Sequence, residues 1–538
     1  MLVAASFSRV GNARLQARGL DVRGSLWVDT EGPVGRSACN GAWLRLVVVG
    51  IVLVLVCPDF VGAAADASTT SADAALASGP ACTSNPRQGG WSDYRNGPAN
   101  TGENAADTEI DRTSVGTLSP TWQKDKLVGV TGTPAVSAGV AYFGDEAGTV
   151  WAVKLSSGAQ LWSSQVGIGV VGSPAIVGNA LYVGAGSTLY RIDAGTGRVV
   201  WKATTNPNPY SQINASPVLV GHLVILGTAQ FEEVVGKPPE TFQGSIGAWD
   251  APTGTQIWNF VTTPNNATSG AGEGIWSTPA VDAKLGLLYV GTGQNISQPT
   301  GHLADSLLAL HVATGKLAWW SQFTTPDVFG VGQYTGRDAD VGASPNLWSC
   351  GGRQVVGVGQ KNGVYHALDA RTGRTLWHAE LTPGSTFGGI LGSAAFLDGR
   401  LIVGSNVGDP GSNATTNNSI VVALDPMNGR RLWSKPLAGN IFAPVTGVHG
   451  LAFVGTDAGR DYAFSTSSGA QLWSYQPPAQ VGGGAAIVGS DVVWGYGFTL
   501  FKGPGQGGVI CFSLTRSGRV QHGRRGVVPS TAPSTTTS

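Results

Sequence analysis

The stretch VYHALDARTGRTLW, Val364 to Trp377, decides the fold. An alternating apolar run is followed by a Thr-Gly turn and a short segment ending on tryptophan, which reads as two antiparallel strands joined tightly. The same phrase ends at Trp162 (SSGAQLW), Trp201 (GTGRVVW), Trp258 (PTGTQIW), Trp319 (ATGKLAW), Trp433 (MNGRRLW) and Trp473 (SSGAQLW), giving successive gaps of 39, 57, 61, 58, 56 and 40 residues from Trp162 onward. Ahead of each phrase lies a Tyr-Val-Gly-like strand, as in Leu181 to Gly184, and ahead of that a Ser/Thr-Pro start, as at Ser173-Pro174 and Thr278-Pro279. Four short strands in about 40 residues are the signature of a propeller blade.

Seven units are complete, and an eighth is split between the chain ends. Ala485–Val488, Val492–Tyr496 and Val509–Leu514 read as three strands without a fourth. The segment Leu118 to Trp122 supplies one, with Trp122 standing 40 residues before Trp162. The sequence therefore predicts an all-β fold, an eight-bladed β-propeller of four-stranded antiparallel blades over 116–514. The N-terminal strand closes the last blade and leaves no open edge between first and last blades.

Composition agrees. Of 538 residues 80 are glycine, roughly twice the usual share, and they follow no Gly-X-Y period. They belong to turns that need positive φ. Charged residues make up only 12% and net charge is zero, which argues against a nucleic-acid partner. Residues 1–65 read as an export signal with a long leading region or a misassigned start: Arg45, the apolar run Leu46 to Cys57, then Ala63-Ala64-Ala65. The run is short for a bilayer span, so no stable membrane span is expected unless the signal stays uncleaved as an anchor. A periplasmic or secreted location follows. Residues 66–115 form an N-terminal extension, and 515–538 a compositionally disordered tail. Of Cys82, Cys350 and Cys511, the pair expected to bond is Cys82–Cys511, since both lie near the chain ends.

Strand order places the connections from strand two to three and from strand four to the next blade on one face. The long ones, 229–243, 294–305, 407–418, 261–276 and 322–341, all fall there, mostly in blades three to six. The connections of that face carry the unusual polar residues Asn214, Glu232, Glu233, Glu273, Gln294, Asp305, Arg337, Asp338, Asp340 and Lys361. Long loops gathered on one face of a ring mark the ligand side.

The phrases Gly90-Trp91-Ser92-Asp93-Tyr94-Arg95, Asn100-Thr101-Gly102, Ile275 to Gly293, Asp340 to Trp348 and Val355 to Asp369 resemble the pyrroloquinoline-quinone-dependent alcohol dehydrogenases, above all the polyvinyl-alcohol dehydrogenase branch. The resemblance implies an exported dehydrogenase that oxidises alcohols, secondary or polymeric ones included, by hydride transfer to pyrroloquinoline quinone held on Ca²⁺. It implies a separate electron acceptor such as a cytochrome c, because no Cys-x-x-Cys-His occurs. Residue by residue, Trp276 matches the tryptophan under the quinone, Asp305 the catalytic base, which also contacts the metal, and Lys361 the cation at the quinone oxygens. Glu233, or its neighbour Glu232, matches the calcium-ligand glutamate, which also lies against the cofactor. Gln294 stands where the family has a ligand asparagine, with Asn295 one residue displaced. The family's vicinal cysteine pair is absent. Taken alone, Trp276 reads as a rim residue, Lys361 as a turn lysine, and the glutamates as a solvated loop. The second reading is accordingly a non-catalytic extracytoplasmic propeller serving as a protein-binding or envelope-assembly scaffold.

Overall fold

A computed structural model describes residues 82–515, apart from 86–89, 106–107, 231–240, 331–332, 335, 410–413 and 498–505. The signal reading of 1–65 and nearly all of the tail lie outside the described residues. Among the described residues no helix is long and apolar enough to cross a membrane. Eight antiparallel blades follow one another at 135–165, 175–204, 218–261, 280–322, 346–380, 395–438, 446–475 and 485–514. In the eighth, Leu118–Leu127 pairs antiparallel with Gly507–Leu514, with Trp122 opposite Cys511. The N-terminal strand is thus the outer strand of the last blade, as the sequence predicts.

Two rings of contacts join the blades. In the outer ring every blade-closing tryptophan donates its indole N–H to a backbone carbonyl beyond strand three of the next blade: Trp162 to Ala194 at 2.8 Å, Trp201 to Ala251 at 3.0 Å, Trp258 to Val312 at 2.8 Å, Trp319 to Ala370 at 3.2 Å. Trp377, Trp433 and Trp122 do likewise to Pro426, Thr466 and Leu155. Trp473 reaches Leu118, where the chain break of the eighth blade replaces the turn. The turn glycine has two duties. Gly373 adopts φ +73°, and a Cβ there would stand 2.6 Å from the ring of Trp319. In six blades the residue facing the tryptophan from strand three is alanine, as with Ala309 opposite Trp319. The inner ring explains the Ser/Thr-Pro phrase. Ser173 N–H donates to Ser216 Oγ, Ser216 to Thr278 Oγ1, Thr278 to Ser344 Oγ and Ser344 to Ser393 Oγ, each at 2.8 or 2.9 Å.

The cysteines pair differently from the sequence expectation. Cys82 lies in a two-residue strand whose register sets it opposite Cys350, and those two form the disulfide. Cys511 is free and buried, and occupies in blade eight the small-residue slot that alanine fills elsewhere. Burial pushes its thiol up to about 12.

Residues 90–104 run across the inner strands. Trp91 pairs with Val136 of blade one, and Ile176 N–H of blade two donates to the Ser92 carbonyl. Pro98, Ala99, Thr101 and Gly102 carbonyls accept from Val281, Leu347, Phe396 and Gly447 of blades four to seven. Arg95, fully buried, donates to the carbonyls of Ser393, Ala394 and Val445. Here Glu103 is buried too; burial first, then the charge of Asp398, lifts its carboxyl to about 7.

This architecture sets two expectations. Gly286 (φ +65°) has nothing within 4 Å of an added Cβ, whereas Gly373 meets Trp319. Gly286→Ala should therefore cost only the left-handed strain of about 1–2 kcal/mol, and Gly373→Ala clearly more, read as unfolding midpoints. Because the folded-state pKa of Glu103 is raised, its contribution is intact below the unfolded value near 4.5 and is lost as pH rises through about 7. The full cost of charging it is about 3 kcal/mol. Glu103→Gln should hold its melting temperature better than the parent between pH 5 and 8.

Candidate functional site

The site face is built from connections of blades three to five, and these are cross-braced. Gly244 N–H donates to Gly272 O (2.9 Å), Glu273 N–H to Gln294 O (2.9 Å), Ile296 N–H to Ala271 O (2.9 Å) and Phe329 N–H to Asn295 O (2.9 Å). The result is a four-rung backbone ladder, 242–244, 271–273, 294–296 and 327–329, over a small core of Phe242, Ala271 and Ile296. A ladder with both neighbours paired holds its side chains far more firmly than independent loops would.

Among the described residues five carboxyl groups are buried around it: Glu273, Asp305, Asp327, Asp338 and Asp340. Lys361, only 7% exposed, brings a positive charge, with Nζ 2.8 Å from Asp338 Oδ1 and 2.7 Å from Asp340 Oδ2. The ammonium also lies 5.6 Å from the centre of the Trp276 ring. That ring is half-buried and packs on Gly342, where any Cβ would overlap it. Asp340 joins three loops: its Oδ1 accepts from Gln294 N–H at 2.8 Å, its Oδ2 from Lys361, and its carbonyl from Lys361 N–H at 3.0 Å.

Asp305 opens strand three of blade four with φ +48° and is fully buried. Among the described residues no amide, hydroxyl or ammonium donor reaches either carboxyl oxygen. Its carboxyl lies against that of Asp327, and burial first, then the charges of Asp340 and Asp327, holds it well above the usual carboxylate range. Asp327 is itself pinned by backbone N–H groups of Arg337 (2.8 Å), Asp338 (3.3 Å) and Ala339 (2.8 Å). Burial raises Glu273 to about 8, opposed by a hydrogen bond from Asn295.

The structure brings Trp276, Gln294, Asp305 and Lys361 into one cluster, with Asp338 and Asp340 between Lys361 and Asp305. Gln294 donates its Nε2 to Phe329 O at 3.0 Å. Asn295 ties its own loop to the preceding connection, donating to Ser269 and Ala271 and accepting from Gly301 N–H at 2.8 Å. Glu232 and Glu233 lie outside the described residues. Among the described residues no three His, Cys, Asp or Glu side chains are arranged to hold a metal ion. Sequence reasoning missed Asp327, which sits in the Gln322–Val341 connection with no phrase to single it out. Burial drives His366 down to about 3, and its ring stacks on Phe323.

The chain's likeness to known proteins runs along the same lines. The family model for the glucose/ethanol/alcohol dehydrogenase β-propeller domain matches residues 203–386, and that for the outer membrane protein assembly factor BamB matches 360–521. A polyvinylalcohol dehydrogenase of a Pseudomonas species is 30% identical over 332 residues, covering 54% of this chain and 50% of that one. The polyvinylalcohol dehydrogenase of Sphingopyxis sp. strain 113P3 is 28% identical over 326 residues, covering 52% and 50%. The solved quinohemoprotein alcohol dehydrogenase of Comamonas testosteroni superposes with a TM-score of 0.64 at 20% identity, over 82% of each chain, and so shares the fold. The chain spans about half the length of the curated relatives it matches. By class it is an eight-bladed β-propeller whose blades three to five match the alcohol-dehydrogenase propeller model. By sequence it is similar to polyvinylalcohol dehydrogenases and to a quinohemoprotein alcohol dehydrogenase of Pseudomonas putida.

The three-loop role of Asp340 predicts a measurable effect. Asp340→Asn leaves Lys361 one charged partner and should cost about 1–3 kcal/mol of stability at pH 7. Asp340→Ala should cost more, because Gln294 N–H then loses its acceptor as well; thermal denaturation of both variants checks the order.

Proposed function

We propose that this chain is an exported, pyrroloquinoline-quinone-dependent alcohol dehydrogenase, acting on secondary or polymeric alcohols. The observation that carries the reading is the cluster itself: a half-buried indole, a buried ammonium beside it, and a buried carboxyl with no donor on either oxygen among the described residues. This set fits a flat, polyanionic quinone. Trp276 would form one wall, and Lys361 would reach the quinone oxygens with the charge that developing negative charge requires. For Ca²⁺ the described residues offer Asp305 and the Gln294 amide, and Glu233 or Glu232 would have to complete a set of six to eight oxygens. When bound, the quinone supplies the hydride acceptor and Ca²⁺ the Lewis acid.

The remaining work falls to this chain. Asp305 would take the proton of the alcohol hydroxyl as that group is oxidised. A carboxyl held above its ordinary range is a base only once it has lost its proton. A cation bound beside it would favour that loss. Asp338 and Asp340 hold Lys361 against Trp276, and the ladder keeps water from the carboxyls beneath it. A separate acceptor, a cytochrome c or a dye, would carry electrons away. The relation to quinoprotein enzymes supports an extracytoplasmic location.

The scaffold reading draws on one observation, the match of 360–521 to an assembly-factor family model. That match runs from within blade five through blade eight, whereas the acidic cluster and Trp276 stand on blades four and five and their connections.

The experiment is dye-linked oxidation of secondary alcohols by purified protein supplied with pyrroloquinoline quinone and Ca²⁺. Activity is expected, with a loss of at least about a hundredfold in Asp305→Asn. A fully active Asp305→Asn removes the assigned base, and no turnover with any alcohol at tens of micromolar cofactor refutes the enzyme reading.

A further inference from the structure

A cavity of about 420 Å³ lies apart from the acidic cluster, where the connection after blade two meets the ends of blade-three strands. Its polar lining comes from Asn206, Asn208, Thr241, Gln243, Ser245 and Asn259, and among the described residues no charged side chain takes part. Asn206 forms a fixed floor, since its Nδ2 donates both to Gln243 O at 2.9 Å and to Ser245 Oγ at 3.1 Å, while its Oδ1 accepts from Asn208 N–H at 3.0 Å. Thr241 and Asn259 stand exposed above it. Pro207 and Val261 add apolar surface.

The chemistry of such a lining is selective. Asn206, Asn208 and Gln243 already bond within the protein, so what the lining offers a ligand is chiefly the exposed Thr241 hydroxyl and Asn259 amide, which suit a ligand whose own groups are hydroxyls. An anion or a cation would lose hydration here and find no opposite charge among these side chains. The apolar patches suit the carbon chain between hydroxyls.

The cavity is also tied to the reaction centre. Gln243 is the first rung of the ladder and pairs with Gly272, Gly272 with Asn295, and Asn295 with Val328, next to Asp327 and so to Asp305. The three steps between its four rungs, at the usual strand spacing, amount to about 15 Å. That separation is beyond one small alcohol and within reach of a chain.

We propose that this cavity is a subsite for an uncharged, hydroxyl-bearing chain, holding a stretch of polymeric alcohol remote from the carbon being oxidised. The proposal rests on the dehydrogenase reading for what the chain is held for, though not for its binding.

Its test uses the full chain without cofactor, with a short poly(vinyl alcohol) oligomer as probe and a polyacrylate of equal length as control, and binding read by saturation-transfer NMR. The variants are Asn259→Leu and Thr241→Val, both at exposed positions, with unchanged melting temperature as the check on folding. The oligomer should bind and the polyacrylate should not, and the double variant should bind the oligomer about fivefold more weakly, the loss expected for one or two neutral hydrogen bonds. With cofactor supplied, the ratio of kcat/KM for oligomer over 2-propanol should fall by a similar factor. Equal binding of polyacrylate, or oligomer binding indifferent to both substitutions, overturns the subsite even if alcohols are oxidised. Variant-sensitive oligomer binding in a protein that oxidises no alcohol upholds the subsite and refutes the dehydrogenase reading instead.

Discussion

Everything in this molecule depends on one repeated contact, an indole laid over a glycine of the next blade with its N–H bonded to that blade's carbonyl. Each contact excludes water from a large aromatic surface and satisfies a polar group that burial would otherwise leave unpaired. It also demands a residue without Cβ and with positive φ, which explains why the turn glycine and the tryptophan travel together. Where the chain ends meet, Trp122 makes the whole contact with Gly158 and Leu155, and Trp473 keeps the N–H bond, to Leu118, with the chain break in place of the glycine turn. The ring is therefore held at its closure by the same bond that joins its other blades.

A closed ring fixes which loops share a face, and blades three to five carry the elaborate ones. Their connections join in a backbone ladder, and among the described residues five carboxyl groups are buried about it, two of them paired with Lys361. Such an excess of acid in a dry site is costly when ionised. The outcome is visible in Asp305 and Glu273, both held well above the ordinary carboxylate range. A chain with only 12% charged residues has concentrated several of them at one point.

The blades were legible because their signal is periodic: Trp-to-Trp spacing, the glycine turn and the Ser/Thr-Pro start each recur with one physical cause. Even the split eighth blade could be read, since Trp122 falls in step. Gln294, Asp305 and Lys361 stood out as polar residues of the long-loop face and Trp276 only through family phrases, and the structure gathers the four at one place. Asp327 was not, because its importance lies in three backbone N–H groups supplied by residues ten and more positions later. Nor was the path of 90–104 across the inner strands, where Arg95 answers carbonyls of blades six and seven. The disulfide shows the same limit. Proximity to the chain ends favoured Cys511, but the partner of Cys82 is decided by strand register, and Cys511 is held in an alanine slot against Trp122.

The most direct measurement is a crystal structure of the protein grown with pyrroloquinoline quinone and Ca²⁺. The account predicts the quinone lying flat on Trp276 with Lys361 Nζ in hydrogen-bond reach of its oxygens, and a cation touching Asp305. A quinone bound elsewhere, or a site still holding Lys361 clamped between Asp338 and Asp340 with no quinone beside it, would contradict it.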